Sequence, residues 1–421
     1  MNARRTASGL VALGAVAVAT TLGTATPAHA QVVGSGLFGK QDPTYDGVYR
    51  QSLSILALET AGRSVDSVAL GWLAKQQCSD GTFTSYRGKT TTACAANGKD
   101  SNATGLAVMA QHAAGLSTAN AIAGLKTFQD SDGGFFSNKL FSSSPGSDAN
   151  STGIALSALA AVGIDPTTVT TGGKSGIDFL QSVQLTCSAA VNDRAAYDYQ
   201  AESPLVANNF ASAQATLGAL NAGLPVAHHS GNATQPTMAC PGGPADATEA
   251  AQDAAGYLAR TLQANSGLIP AAFGGGNDYT STANAIVSLV AAGVGSAQVT
   301  QALDALAAHV NSYVKDSHGV DQPAALAWLI LAAHAGGRGP QNFGGVNLVT
   351  RLQTTEDILS VLPTPPPKKA SPTPSASPSP AVASNNSTLP ATGGHDPLPV
   401  AVVGAVVLLT GGALLFAGQR R

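Results

Sequence analysis

Charge is scarce in this chain. Only 11% of its 421 residues are Asp, Glu, Lys or Arg, and the basic residues gather in no patch, which argues against a nucleic-acid partner. Aromatic residues are as sparse, at 5% with two Trp, so few rings are on hand to line any one pocket. Cysteine occurs four times, at Cys78, Cys94, Cys187 and Cys240, without a C-x-x-C pair or Cys/His ligand spacing. That argues against structural zinc, and neither a metal nor a cofactor is expected.

What is abundant sits partly at the ends. Arg4 and Arg5, the small apolar run 9–23 and Ala28-His29-Ala30 have the layout of a secretory signal over residues 1–30. An uncut membrane anchor fails on the length of that run and on the cleavage site. In an exported chain an even number of cysteines predicts disulfides with three possible connectivities, and sequence neighbours are the easiest to join, which favours Cys78–Cys94 and Cys187–Cys240. Residues 361–380 hold eight prolines; 361–388 therefore reads as a polyproline-rich stalk, about 90 Å long if fully extended.

Leu389-Pro390-Ala391-Thr392-Gly393 stands seven residues before 400–418, a run of 19 uncharged residues that is followed by Arg420 and Arg421. At about 1.5 Å rise per residue such a run spans about 28 Å, enough to cross a bilayer with the arginines on the cytoplasmic side. This three-part end, 389–421, resembles the LPXTG sorting signals of Gram-positive cell-wall proteins. The resemblance implies a sortase as partner and peptidoglycan as covalent acceptor. Cleavage would fall after Thr392, whose carboxyl would become the attachment point, and the chemistry would be the sortase's acyl transfer. From Gln31 to Thr392 the chain carries 17 basic against 23 acidic residues, a formal charge of −6.

The middle repeats. Gly62, Gly115, Gly163, Gly223, Gly293 and Gly336 each close a small-residue run, five of them after Ala, at intervals of 53, 48, 60, 70 and 43 residues. Gly in that place is a C-cap choice, and Asn before a run, as at Asn102 and Asn150, an N-cap choice. Each run predicts a helix of about four turns, followed by a turn and a second, bulkier helix. Six such hairpins predict an all-α fold over 42–355, an (α/α)6 toroid with the small-residue helices inside, followed by the stalk and one C-terminal transmembrane helix.

Residues 77–83 and 129–135 share the pattern Gln-x-Ser-Asp-Gly-x-Phe. With the repeat, this resembles the prenyltransferase/squalene-cyclase superfamily of α/α toroids, Phe replacing the Trp of the cyclase motif. The resemblance implies fold more than activity. The acid motif D-x-D-D of the cyclases is missing, its nearest match being Asp130-Ser131-Asp132-Gly133, and too few rings are present to line a carbocation pocket. The cysteines are followed by Ser79, Ala95, Ser188 and Pro241, so no thioester motif begins at any of them, and His309, His318 and His334 have no cysteine near them in sequence to complete a zinc-type prenyltransferase set. His228-His229 reads as surface. No residue is therefore assigned a catalytic role. An acid-base-phenol cluster at Asp193, Arg194, Tyr197, Asp198, Tyr199 and Glu202 reads first as a solvated loop.

Polar residues recur at the openings of the small-residue helices: Asp100, Asn102, Thr104; Asp148, Asn150, Thr152; Asn208, Asn209; Asp278, Tyr279, Thr280. If these helices form the inner ring, their N-termini make a hydrogen-bonding rim. The expected function is a secreted, wall-anchored surface protein whose toroid binds a small molecule, glycan or protein, the rim candidates being Asp100, Asn102, Thr104, Asp148, Asn150, Thr152, Asn209, Asp278 and Tyr279. On this reading Asp100 and Asp148 precede the caps. The alternative is an extracellular enzyme acting on glycan or lipid, which would need two carboxylates about 5–10 Å apart at the rim.

Overall fold

The computed structural model describes residues 34–357 apart from 141, 273 and 274. The signal segment 1–30, the stalk 361–388, the sorting motif 389–393 and the apolar run 400–418 lie outside the described residues. Among the described residues the structure is mostly helical, with thirteen α-helices and three two-stranded clips, and no helix is long and apolar enough to cross a membrane.

Six helices form a closed ring. They are α1 (Gly47–Thr60), α3 (Ser101–Ala113), α5 (Ala149–Ala161), α7 (Asn209–Ala219), α9 (Tyr279–Ala292) and α12 (Pro323–Ala335). Each packs on the next, and α12 returns to α1. Outside them lie α2 (Ser67–Gln76), α4 (Ala119–Lys126), α6 (Gly176–Ser182), α8 (Ala247–Ala264), α10 (Ser296–Ala308) and α13 (Leu348–Thr354), each against the ring helix it shares a hairpin with; α11 (Val310–Val314) precedes α12. A ring helix touches neighbours on every side, so it has no solvent face to make polar. In α12 every residue except His334 is buried. Small residues let the ring close tightly: a Cβ at Gly153 of α5 would come within 2.5 Å of the Ala215 Cα of α7.

The sequence places most helix ends correctly and misses some by a step. Gly62, Gly115, Gly163 and Gly293 take the left-handed backbone expected after a helix, but in the fourth and sixth hairpins that conformation falls on Asn221 and Gly337 instead of Gly223 and Gly336. Asn is one of the few other residues to visit that region readily. At the other ends, Asn102 and Asn150 are not N-caps. Asp100 and Asp148 are, accepting hydrogen bonds from Ala103 N at 2.9 Å and Ser151 N at 2.7 Å. Asp278 and Asn208 cap α9 and α7 in the same way.

The recurring loop is a connector. Gly81 and Gly133 adopt positive φ, and a Cβ there would sit 1.8 Å from Asn120 O and 2.2 Å from Ser175 O. The turn returns the chain so that Phe83 N and Phe135 N donate to the buried hydroxyls of Thr104 and Thr152, both at 2.9 Å. Ser212 and Thr282 receive Tyr197 N and Ile269 N likewise. Clips β1 (Phe83–Thr84) with β2 (Lys99–Asp100), and β5 (Ile269–Pro270) with β6 (Asn277–Asp278), end directly on the capping aspartates; the third pairs β3 (Thr170–Thr171) with β4 (Lys174–Ser175).

Two disulfides join Cys78 to Cys94 and Cys187 to Cys240, as fits an oxidising compartment. The first and last described segments are knitted together: Gly36 N and Gly39 N donate to Asp357 O and Thr355 O, and Asp357 N to Leu37 O. At the C-terminal ends of α9 and α12 the long α7–α8 connection runs across the ring. Asn232 N donates to Gly293 O, and His228 Nδ1 lies 2.9 Å from Ala335 O. His228 is exposed, as its sequence context implied.

Candidate functional site

A cavity of about 400 Å³ opens at the N-terminal ends of the ring helices, within the range of small-molecule sites. One wall comes from the start of α1 and the loop after β1, and carries Tyr45, Tyr49 and Tyr86. The ring of Tyr86 stacks on Trp72 with centroids 6.4 Å apart, and Tyr45 stands 59% exposed at the lip. A second part of the lining carries carboxamides, Asn102 from α3, Asn150 from α5 and Gln214 from α7. Cys94 lines the same cavity, so the Cys78–Cys94 bridge braces the loop that makes its outer wall.

The carboxamides are coupled. Asn102 Nδ2 donates to Asn150 Oδ1 at 3.4 Å, and Asn150 Nδ2 donates to Gln214 Oε1. Asn102 Oδ1 is buried without a hydrogen-bond partner. Asn138 also lines the cavity but is engaged, donating to Asp100 Oδ2 and accepting from Leu140 N.

Asp100 is the one carboxylate among the lining residues. It is 5% exposed, and both its oxygens are taken, Oδ1 by Ala103 N and Oδ2 by Asn138. Burial raises its pKa. Asp148, behind it, is pushed up to about 7, chiefly by burial and in smaller part by the charge of Asp100, and its oxygens are held by Ser151 N and Oγ. Asp278 repeats this arrangement with Ser281 and is raised by burial too. These acids are sealed helix caps. A capping carboxylate answers the free N–H groups of the first turn, which accounts for an Asp recurring two residues before each Asn.

Of the nine rim candidates, Asp100, Asn102 and Asn150 line the cavity. Thr104 and Thr152 are fully buried and hold the connecting loops. Asn209 bridges Pro270 O and the Tyr257 hydroxyl, and Tyr279 packs against His309 and Tyr313. In the acid-base-phenol loop, Asp193 is half-buried, Glu202 is exposed and Asp198 is bound by Tyr199 N and Val206 N. Tyr199 alone turns toward the cap acids; burial raises its pKa well above the ordinary value, and Asp148 and Asp100 add to this. The sequence reading missed Tyr45, Tyr49, Tyr86, Asn138 and Gln214. Gln214 lies six residues past its cap, one turn deeper than Asn102 and Asn150, so alignment on the caps does not find it.

Among the described residues no group of His, Cys, Asp or Glu is arranged to hold a metal ion. Two cationic residues line the cavity: Arg87, which gives its guanidinium to the carbonyls of Lys75, Gln77, Thr90 and Thr92, and Lys89, which is exposed.

No family model and no curated protein matches the chain. Solved structures similar to it include a protein from Actinoplanes, 16% identical with a TM-score of 0.42, covering 77% of this chain and 92% of that one. The type II terpene cyclase MstE from Scytonema is 15% identical with a TM-score of 0.38, covering 61% and 67%. A wild-type glycosidase is 13% identical with a TM-score of 0.38, covering 76% and 91%. Similarity at this level assigns neither substrate nor activity.

Proposed function

We propose that the chain is an exported surface protein, joined to peptidoglycan by a sortase through Thr392, whose ring of helices is a ligand-binding module with its site at the mouth cavity. The anchoring half of this reading is supported by the order Leu389-Pro390-Ala391-Thr392-Gly393, apolar run, arginines, and by two disulfides that suit an extracellular life. The binding half is carried by one observation: the cavity is lined by coupled carboxamides and tyrosines, while its one carboxylate, Asp100, has both oxygens engaged, Oδ1 as a helix cap and Oδ2 by Asn138. Glycoside hydrolysis by the usual route needs a pair of carboxyl groups flanking the bond.

The enzyme reading keeps one point in its favour, Asp148, an acid whose pKa of about 7 would let it carry a proton at neutral pH. It is 2% exposed and tied to Ser151, so it would have to leave its helix to reach a substrate. Two assays test the proposal. The full chain displayed on cells should co-purify covalently with digested peptidoglycan, and a Leu389→Ala, Pro390→Ala variant should not. The purified full chain should release no reducing ends from polysaccharides and should not turn over squalene or prenyl diphosphates; steady turnover of any of these overturns the binding reading.

A further inference from the structure

Resting on that binding reading, we propose that the mouth cavity takes a neutral saccharide, with a sugar face against the tyrosine wall and its hydroxyls against the Asn102–Asn150–Gln214 wall. The two walls differ in the way a pyranose does. A sugar ring has C–H faces that pack on aromatic rings and an edge of hydroxyls that donate and accept. Tyr45, Tyr49 and Tyr86 supply the rings, the last held flat by Trp72, and the carboxamides supply paired donors and acceptors.

The unpartnered Asn102 Oδ1 narrows the choice of ligand. It is buried at the end of the carboxamide row, with Asn102 Nδ2 already given to Asn150, and a buried polar atom left unpaired is costly. A hydroxyl satisfies that end of the row whichever way the amide faces, because it can both donate and accept. An isoprenoid satisfies neither case. A carboxylate only accepts, as does a fully ionised phosphate, so either leaves an accepting Asn102 Oδ1 unpaired. It would also meet Asp100 close by and an Arg87 whose four N–H bonds go to backbone carbonyls, which leaves the exposed Lys89 as the cation to draw it in, and the sialyllactose probe tests that pull. An extended peptide that binds by strand addition needs a strand edge of some length, and the strands beside the cavity, β1 and β2, are two residues long.

The test uses the purified full chain, with neutral trisaccharides (cellotriose, mannotriose and chitotriose), the anionic sialyllactose and pentaalanine as probes. Binding is followed by calorimetry and by the fluorescence of Trp72, which stacks on the cavity wall. At least one neutral trisaccharide should bind saturably. Tyr45→Ala, at a residue 59% exposed, should weaken that binding at least 5-fold, and Asn102→Ala at least 10-fold, with unfolding temperature and helical circular dichroism preserved in Tyr45→Ala. Reduction of the disulfides should weaken it as well, since Cys94 lines the wall. Binding of pentaalanine or sialyllactose alone, sensitive to Tyr45→Ala, would overturn the saccharide inference and leave the binding reading standing. Binding of no probe, or neutral-sugar binding indifferent to both substitutions, overturns the saccharide inference at this cavity. Hydrolysis of a bound trisaccharide would overturn the binding reading and leave the ligand class intact.

Discussion

Replacing Asp148 by Asn separates a sealed cap from a working acid. In the folded protein the Asp148 carboxyl is 2% exposed, and its pKa rises from 3.8 to about 7, mostly through burial. Between those two values the native state holds a proton that the unfolded chain has released. The native state thus binds more protons, and stability falls as pH rises through this window. Below about pH 3 both states are protonated and the residue contributes nothing through charge. By pH 8 both are ionised and the full penalty is present: about three pH units at about 1.4 kcal/mol each, or about 4 kcal/mol. Asn caps a helix about as well as Asp. Its Oδ1 can keep the 2.7 Å bond from Ser151 N, and the Ser151 hydroxyl can turn from donor to acceptor toward the new NH₂. Asp148→Asn should therefore match the parent at about pH 3 and exceed it at pH 8 by up to about 4 kcal/mol, read as urea unfolding of the full chain at both pH values. Asp148→Ala should be less stable than Asp148→Asn at both, because it strands the Ser151 N–H and hydroxyl. A pH-independent difference between Asn and Asp, or an Asn variant less stable at pH 8, would refute the account of Asp148 as a buried, cap-bound acid.

Three further outcomes follow from the same structure. Thr152→Val removes the buried acceptor of Phe135 N and should lower stability by about 1–3 kcal/mol with helix content kept, measured by chemical denaturation. Gly81→Ala and Gly133→Ala each press a Cβ against backbone, to 1.8 Å and 2.2 Å, in a left-handed conformation that Ala resists; each should lower the unfolding temperature by several degrees, whereas Gly173→Ala, with open space around its Cβ, should cost only the backbone strain and so less. Mass spectrometry of the unreduced, protease-cut protein should recover Cys78 with Cys94 and Cys187 with Cys240, and replacing Cys78 and Cys94 by Ser should cost about 3 kcal/mol in the chain-entropy picture of a loop of about 15 residues, with free thiols in the parent contradicting the pairing.

Local chemistry was legible in the sequence by itself. The small-residue runs ending in Gly located the ring helices because a helix surrounded by helices on all sides needs small residues and a left-handed exit, and the nearness of the cysteines along the chain anticipated their pairing. The duplicated Gln-x-Ser-Asp-Gly-x-Phe pattern marked a structural unit for the same reason, since its Gly and Phe are fixed by a turn and a staple within one hairpin and its neighbour. Tertiary structure alone decided which polar groups are free. Asp100 and Asn102 are two residues apart, yet one is a sealed cap and the other presents an unpaired oxygen beside the cavity; a helix turns by about 100° per residue, so that phase depends on how α3 is rotated against α5 and α1. The tyrosine wall was invisible for a related reason. It is assembled from the start of α1 and a disulfide-closed loop some forty residues later in the chain, segments that no repeat register aligns and that meet through the Val48 N–Ser85 O bond and the packing of α1 on α2 and α3.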